Sequence, residues 1–320
     1  MRGENIVKFV VMALGAATLF SSAGFAQTPV PVQDPSTTIN DPARAATTPI
    51  TARKIILVGD STVALQGGWG PAFCAFHVAQ NIVCLNLARG GRSSFSFRAE
   101  GSWDLTQKEI RSGGYKETYV LIQFGHNDQP GKPGRTTDLR AEYPANLARY
   151  VEETRAAGAI PVLVTPLTRR IFKNGHLDDS LGPWAEATRK VAADLKVPLV
   201  DLYARSTEAV DAMGAAKATE FAPMPPTEKY LDAARRGTTL GLPKAATPAG
   251  TPEQIAAEKK KGMSAAELNA AAEPLGTPKP TFDYTHLGPK GAEFFATLVT
   301  RELAKAVPSL KPDLLDALTP

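Results

Sequence analysis

From Lys54 to Leu202 the chain alternates short apolar runs with longer segments whose apolar residues recur about every 3.6 positions. The runs Ile55 to Val58, Ile82 to Leu87, Tyr119 to Phe124, Ile160 to Thr165 and Pro198 to Leu202 are bounded by turn residues and read as buried strands. Between them the helical period predicts helices over about 69–79, 103–111, 142–157 and 181–195, with another from Pro289 to about Ala306. Strand and helix in regular alternation imply right-handed crossovers. The expected fold class is therefore α/β: a three-layer α/β/α sandwich around a five-stranded parallel sheet.

Three stretches break this rhythm. In residues 1–26, Arg2 and Lys8 precede the apolar run Phe9 to Phe20, and the small residues Gly24 and Ala26 follow. That order is the pattern of a cleaved secretory signal, and the run is too short to span a bilayer, which takes about 20 apolar residues. Residues 27–51 are rich in Pro, Thr and Asp without apolar period, and read as a flexible leader to a single domain over 52–320. The third stretch, about 205–280, is rich in Ala, Pro and Lys, with Lys259 to Lys261 in a row and a predicted helix over Ser264 to Ala272. It reads as a solvated insertion, with a substrate-gripping or oligomer-forming lid as the alternative.

Composition narrows the class without naming it. With 43% hydrophobic and 21% charged residues in 320, the chain is an ordinary globular one. A formal charge of +4 suits a polyanionic partner, but no basic block is interleaved with aromatics as a nucleic-acid face requires. No later run is long enough for a membrane span, so the expected product is secreted or periplasmic and carries no membrane segment once the signal is removed. Cys74 and Cys84 are too few for a zinc site, and their spacing is equally compatible with a disulfide or two thiols.

The chemistry collects at strand ends. The first strand runs into Gly59-Asp60-Ser61-Thr62, which puts a serine on a strand-to-helix turn, where parallel sheets bind ligands; a helix-capping serine would look the same. After the second strand comes Ala88-Arg89-Gly90-Gly91-Arg92-Ser93-Ser94, and after the third Gly125-His126-Asn127-Asp128. If Ser61 attacks an ester, the oxyanion formed needs fixed donors, which the N–H groups of Ser61 and Gly91 and the Asn127 amide can supply. A plain turn at Gly90-Gly91 and an Asx-turn at Asn127-Asp128 are the alternatives. Late in the chain, Asp283-Tyr284-Thr285-His286 spaces an acid three residues from a histidine, so that Asp283 can orient His286 as a base, or can merely cap the helix that follows.

Four histidines compete for the role of base. His77 sits on an amphipathic helix and reads as structural, His176 follows a Lys-Asn-Gly loop, and His126 either braces its loop or touches substrate. Only His286 has an acid at the right spacing.

Taken in order, these four blocks resemble those of the SGNH (GDSL-type) hydrolases, and the Arg92-Ser93-Ser94, Gly-His-Asn-Asp and Asp-x-Thr-His-Leu blocks are most similar to the rhamnogalacturonan acetylesterase group. The resemblance covers about 54–204 and 281–306. It implies a flavodoxin-like sandwich, Ser61 as nucleophile, Asp283 and His286 as its catalytic partners, and Gly91 and Asn127 as oxyanion donors. It further implies no metal or organic cofactor and an acetylated polysaccharide or oligosaccharide as substrate, with Arg92 and His126 expected to contact it. The rival expectations are a lipase or thioesterase of the same superfamily and a non-catalytic glycan-binding protein; the oligomeric state is left open.

Overall fold

Successive side chains of a strand point to opposite faces of its sheet, and the strand residues divide accordingly. A computed structural model describes residues 51–132, 134–178, 180–241 and 281–316 of the protein. In β1 (Arg53–Gly59), Ile55 and Leu57 join one buried cluster and Ile56 and Val58 the other; in β3 (Thr118–Gln123), Tyr119 and Leu121 oppose Val120 and Ile122. With β2 (Ile82–Asn86), β4 (Ile160–Val164) and the short β7 (Leu199–Val200), these form a five-stranded parallel sheet in the order β2-β1-β3-β4-β7. Both faces must be covered, which is why the strands read as near-continuous apolar runs.

One face carries α1 (Gly70–Phe76), α6 (Leu202–Ala218) and α8 (Pro289–Ala306), with Phe73, Val210, Phe295 and Val299 fully buried against it. The other carries α3 (Ser102–Arg111), α4 (Glu142–Ala156) and α5 (Gly182–Asp194), through Trp103, Leu147, Tyr150 and Val191. The result is the expected three-layer α/β/α sandwich. Strand order reverses between β1 and β3, so the crevice of this sheet opens at the ends of those two strands.

Smaller elements were not foreseen: the one-turn α2 (Ser96–Ala99), the hairpin of β5 (Phe172–Lys173) and β6 (His176–Leu177), and α7 (Glu228–Arg235). The expected insertion also begins too early. Residues 202–218 form α6, whose Leu202, Val210, Ala215 and Ala218 belong to the core. Its buried face mixes Leu202, Tyr203 and Val210 with Ser206, Ala215 and Ala218 and is interrupted at Gly214, which has φ 75°, so its helical period is faint in the sequence. The strand before it is short because the chain turns at Asp201, whose carboxylate accepts the Ala204 N–H at 3.3 Å and starts the helix. The remainder of that stretch from 242, including Lys259 to Lys261 and the Ser264 to Ala272 helix, lies outside the described residues, as do the signal and all but the last residue of the leader. Cys74 and Cys84 are joined in a disulfide that ties α1 to β2 across a Cα separation of 5.4 Å.

Candidate active site

β1 ends at Gly59 because no side chain fits there: a Cβ would lie 2.6 Å from the Gln123 carbonyl oxygen of β3. The chain then turns through Asp60, whose carbonyl accepts the N–H groups of Val63 and Ala64. Asp60 Oδ1 accepts the Thr62 N–H at 2.9 Å and hydroxyl at 2.8 Å. Gln123 Nε2 donates to that hydroxyl at 2.7 Å, while its Oε1 takes the Trp69 indole N–H at 2.9 Å. Asp60, Thr62, Trp69 and Gln123 are all buried, and this polar chain presents Ser61, half-buried, above the sheet.

The loop after β2 closes beside it. A Cβ on Gly90 would lie 3.7 Å from the Ser61 Cβ, so the loop passes close to the Ser61 side chain. Gly91 has φ 76°, a conformation that favours glycine. Among the described residues, neither the Ser61 nor the Gly91 N–H has an acceptor. From the β3 loop, buried Asn127 donates one amide hydrogen to the Arg92 carbonyl at 3.1 Å, and its second hydrogen stays available.

These loops are braced from below. Asp128 accepts from the Ser94 N–H and hydroxyl (2.6 Å), the Thr137 hydroxyl (3.0 Å) and the Gly125 N–H (3.1 Å). Burial pushes its carboxyl up to about 7 against the pull of those donors. Tyr150 donates its hydroxyl to the Ser94 carbonyl at 2.9 Å, and Tyr143 to that of Phe124 at 3.0 Å.

Two residues expected at the substrate turn inward instead. Arg92 is 4% exposed and spans Glu100 Oε2 at 2.8 Å and the Gly90 carbonyl at 2.7 Å, fixing the glycine turn. His126 is 2% exposed, with Nδ1 3.4 Å from Asp60 Oδ2. Burial lowers its pKa more than Asp60 raises it, while Asp60, despite its own burial, is held below the ordinary carboxylate range by His126 and Thr62. Both side chains support the loops, because a long or aromatic group in a glycine-rich turn gains more from filling the space beneath it than from standing in water.

The Asp283 to His286 segment is a bend ahead of α8. Asp283 Oδ1 accepts the N–H groups of Thr285 (2.7 Å) and His286 (2.6 Å), leaving Oδ2 to meet His286 Nδ1 at 2.7 Å. His286 Nε2 lies 2.9 Å from Ser61 Oγ. Burial opposes ionisation of Asp283, but the His286 hydrogen bond and charge, with the two backbone donors, bring it down to about 2. The imidazole rests on Gly67, where a Cβ would come within 3.1 Å of it, and the Leu287 N–H donates to the Gly67 carbonyl at 2.9 Å. No sequence pattern marks Arg170. Fully buried, it donates to the carbonyls of Asp283 (3.1 Å), Thr285 (3.3 Å) and His286 (2.7 Å), and its own N–H bonds the Tyr284 carbonyl at 2.8 Å. Burial brings its pKa down to about 10, so it is still a cation at neutral pH. Of the other histidines, His77 is buried against the Leu315 carbonyl and His176 lies exposed in the hairpin.

Two hollows flank the histidine turn. One, of about 810 Å³, is apolar and lined by Leu65, Gly67, Phe76, Leu287 and Pro289 among others; the second, of about 230 Å³, is lined by Arg169, Ile171, Thr239, Asp283 and Thr285. Among the described residues no cluster of His, Cys, Asp and Glu has the arrangement of a metal site. The arrangement at Ser61 has the parts of acyl transfer through a serine: a hydroxyl on a base, the base on an acid, and unengaged donors beside the hydroxyl.

Residues 57–232 match the model of the GDSL-like lipase/acylhydrolase family. RhgT of Bacillus subtilis, a rhamnogalacturonan acetylesterase, is 36% identical over 169 residues, covering 50% of this chain and 69% of that protein. The rhamnogalacturonan acetylesterase of Emericella nidulans is 41% identical over a shorter 78 residues, 24% of this chain and 29% of the other. The crystal structure of Bacillus subtilis YxiM superposes with a TM-score of 0.52 at 20% identity, covering 81% of this chain but only 58% of that longer one, and so speaks to the fold alone. With a family match across more than half its length and a relative covered over two thirds of its own, the chain belongs to the GDSL-like lipase/acylhydrolase family.

Proposed function

We propose that this hydrolase removes acetyl groups from a plant cell-wall polysaccharide of the rhamnogalacturonan type. Ser61 Oγ attacks the acetyl carbonyl carbon while His286 Nε2 takes its proton, and Asp283 fixes the tautomer and stabilises the imidazolium. The N–H groups of Ser61 and Gly91 and the free hydrogen of Asn127 stabilise the oxyanion. Collapse of the tetrahedral species breaks the bond to the sugar oxygen, which leaves with the proton from His286. Water, deprotonated by the same nitrogen, then attacks the acetyl-serine and releases acetate. The observation that carries this reading is the unbroken hydrogen-bonded line Asp283, His286, Ser61, at 2.7 and 2.9 Å. Its choice of acyl group and polymer rests on the likeness to RhgT.

Export goes with it. The signal pattern of residues 1–26 and the Cys74–Cys84 bridge, a bond that persists in oxidising compartments, both support a secreted or periplasmic enzyme. Sequencing the amino terminus of protein recovered outside the cytoplasm should begin at Gln27.

The apolar hollow beside His286 favours one other reading, an esterase for longer acyl chains. Acetate release from acetylated rhamnogalacturonan, homogalacturonan and xylan, with a chain-length series of nitrophenyl esters, separates the two. The proposal expects the fastest release from rhamnogalacturonan and rates that fall beyond the acetyl ester. Equal rates on all three polymers would sink the polymer assignment, and rates rising with chain length would favour the second reading.

A further inference from the structure

Among the described residues, Lys54 and Lys132 are the lysines drawn in from the surface, and both rest on neutral acceptors. Lys54 donates to the carbonyls of Glu109 (2.6 Å) and Ser112 (3.0 Å) and to the Ser112 hydroxyl (2.7 Å). These atoms close the C-terminal end of α3, where unpaired carbonyls and the helix dipole favour a cation, so its place is explained. Lys132 serves no helix end. Its ammonium donates to the His126 carbonyl at 2.6 Å and to Asn127 Oδ1 at 3.2 Å, two consecutive residues of the loop after β3.

The Asn127 amide is thereby bracketed. Its Nδ2 faces the Arg92 carbonyl at 3.1 Å, an atom that only accepts, and its Oδ1 faces an ammonium, which only donates. Reversing the amide would set oxygen against oxygen and the amide hydrogens against the ammonium, so these two neighbours permit one orientation. That orientation keeps the second Nδ2 hydrogen for an oxyanion. A cation on the amide oxygen also draws electron density from the nitrogen, since hydrogen bonds in series polarise one another where water is scarce. The gain is largest for a charged acceptor. A neutral ester carbonyl receives little of it and the tetrahedral oxyanion much, so the effect falls on turnover more than on binding.

Resting on the esterase reading above, we infer that Lys132 is a positioning residue for the reaction, one that sets the Asn127 amide and strengthens the hydrogen bond this amide gives to the oxyanion. Lys132 bonds none of Ser61, Asp283 and His286, and works through Asn127. The charge that the role needs is lost on the alkaline side. Burial above all, with repulsion from Arg169 and Arg135, outweighs the pull of Asp60 and Asp128 and brings the Lys132 pKa down to about 8. The buried His126 ring, whose own pKa is lowered by burial, adds repulsion only when protonated.

The test is a cycle of variants on nitrophenyl acetate, with kcat counted per serine labelled by a fluorophosphonate so that unfolded molecules drop out. Lys132→Met should lower kcat about tenfold at neutral pH with KM within about twofold, less than the roughly 10²–10³ lost when an oxyanion donor is removed outright. In an Asn127→Ala background the same change should cost less than about twofold, because the group it works through is gone. Wild-type kcat should fall as pH rises through about 8, and Lys132→Arg, which keeps its charge, should hold its plateau to higher pH. Should Lys132→Met not fold, Lys132→Gln, a donor without charge, makes the same comparison. Three results overturn the role: an unchanged kcat, a loss carried by KM alone, or an equal loss in the Asn127→Ala background, which would mean that Lys132 only props the loop through the His126 carbonyl. Each of these, in a wild-type protein that cleaves the ester, defeats this inference alone. A wild-type protein no faster than Ser61→Ala defeats the esterase reading, and the inference with it.

Discussion

Ser61 and His286 face each other across 2.9 Å, yet the two sides of that contact are built differently. The serine grows out of β1 in the middle of the sheet, flanked by β2 and β3, on a turn whose polar atoms are tied into the buried Asp60, Thr62, Gln123 and Trp69 chain. The histidine sits on a bend with no strand beneath it, its side chain 40% exposed and that of Asp283 21% exposed. What holds the bend, besides Asp283's own bonds to the Thr285 and His286 N–H groups, is the Leu287 contact with Gly67, the Gly288 N–H on the Phe221 carbonyl, and Arg170, whose guanidinium donates to three carbonyls and whose N–H donates to a fourth. Sheet geometry thus fixes the nucleophile redundantly, while the base depends on few contacts, and damage of equal size should matter more on the histidine side.

The largest effects fall on the contact itself. Ser61→Ala or His286→Ala should each lower kcat on nitrophenyl acetate by about 10⁶, and the double variant should be no worse than either, because residues of one relay do not contribute independently. Additive losses would show that the serine and histidine do not act as a unit, however close they lie.

Next comes Asp283. In Asp283→Asn the side chain can still accept the backbone donors, but it can present an amide hydrogen to Nδ1 and stabilise the wrong tautomer, so kcat should drop by about 10³ to 10⁴. The same residue carries a pH signature. Its folded pKa, about 2, lies below its unfolded value, so its contribution to stability is complete above the unfolded pKa near 4 and is lost as pH falls through about 2. Urea unfolding should therefore find the gap between wild type and Asp283→Asn wide at pH 7 and narrow at pH 2.5; a constant gap would mean that Asp283 is not ionised by its setting.

Arg170 tests the asymmetry directly. Arg170→Met leaves the half-buried carbonyls of Asp283, Thr285 and His286 without this donor, each costing up to about 1–3 kcal/mol where water does not replace it. The bend should loosen while the serine turn stays in place, so kcat should fall by about 10- to 100-fold with KM little changed, in line with the cost of small misplacements of a catalytic group. Arg170→Lys, which can reach some of the carbonyls, should recover part of the loss. Equal reductions through KM alone, or no rescue by lysine, would make Arg170 a packing residue and not a positioning one.

How much of this could be read from the sequence follows the same division. The sheet was legible because all five strands are concentrated apolar runs, and Ser61, Asn127 and Asp283 with His286 stood out because glycine-bearing loops at strand ends and an acid three residues from a histidine are local patterns. Nothing local marks Arg170: it works through backbone carbonyls 113 to 116 positions away, and carbonyls carry no sequence signal. Arg92 and His126 misled for the opposite reason, since polar residues in a glycine loop look solvent-facing until the packing beneath the loop is known. The α6 helix escaped because its buried face mixes large apolar residues with serine and alanine and is broken at Gly214, which blurs the helical period.

The smallest expected effect lies on the nucleophile side. The Cys74–Cys84 bridge pins α1, the helix that follows the Ser61 turn, to the edge strand β2, and it closes a loop of sequence separation 10. A loop of that size corresponds to about 2–3 kcal/mol of stability, exerted chiefly by restricting the unfolded chain. Cys74→Ser with Cys84→Ser should therefore lower the urea midpoint measurably and leave kcat within about twofold of wild type, because Ser61 is still held by the Thr62, Gln123 and Asp60 bonds when the bridge is gone. A large fall in kcat at temperatures where the variant remains folded would show that the nucleophile turn relies on α1 as heavily as the histidine bend relies on Arg170, and the asymmetry between the two sides would then be lost.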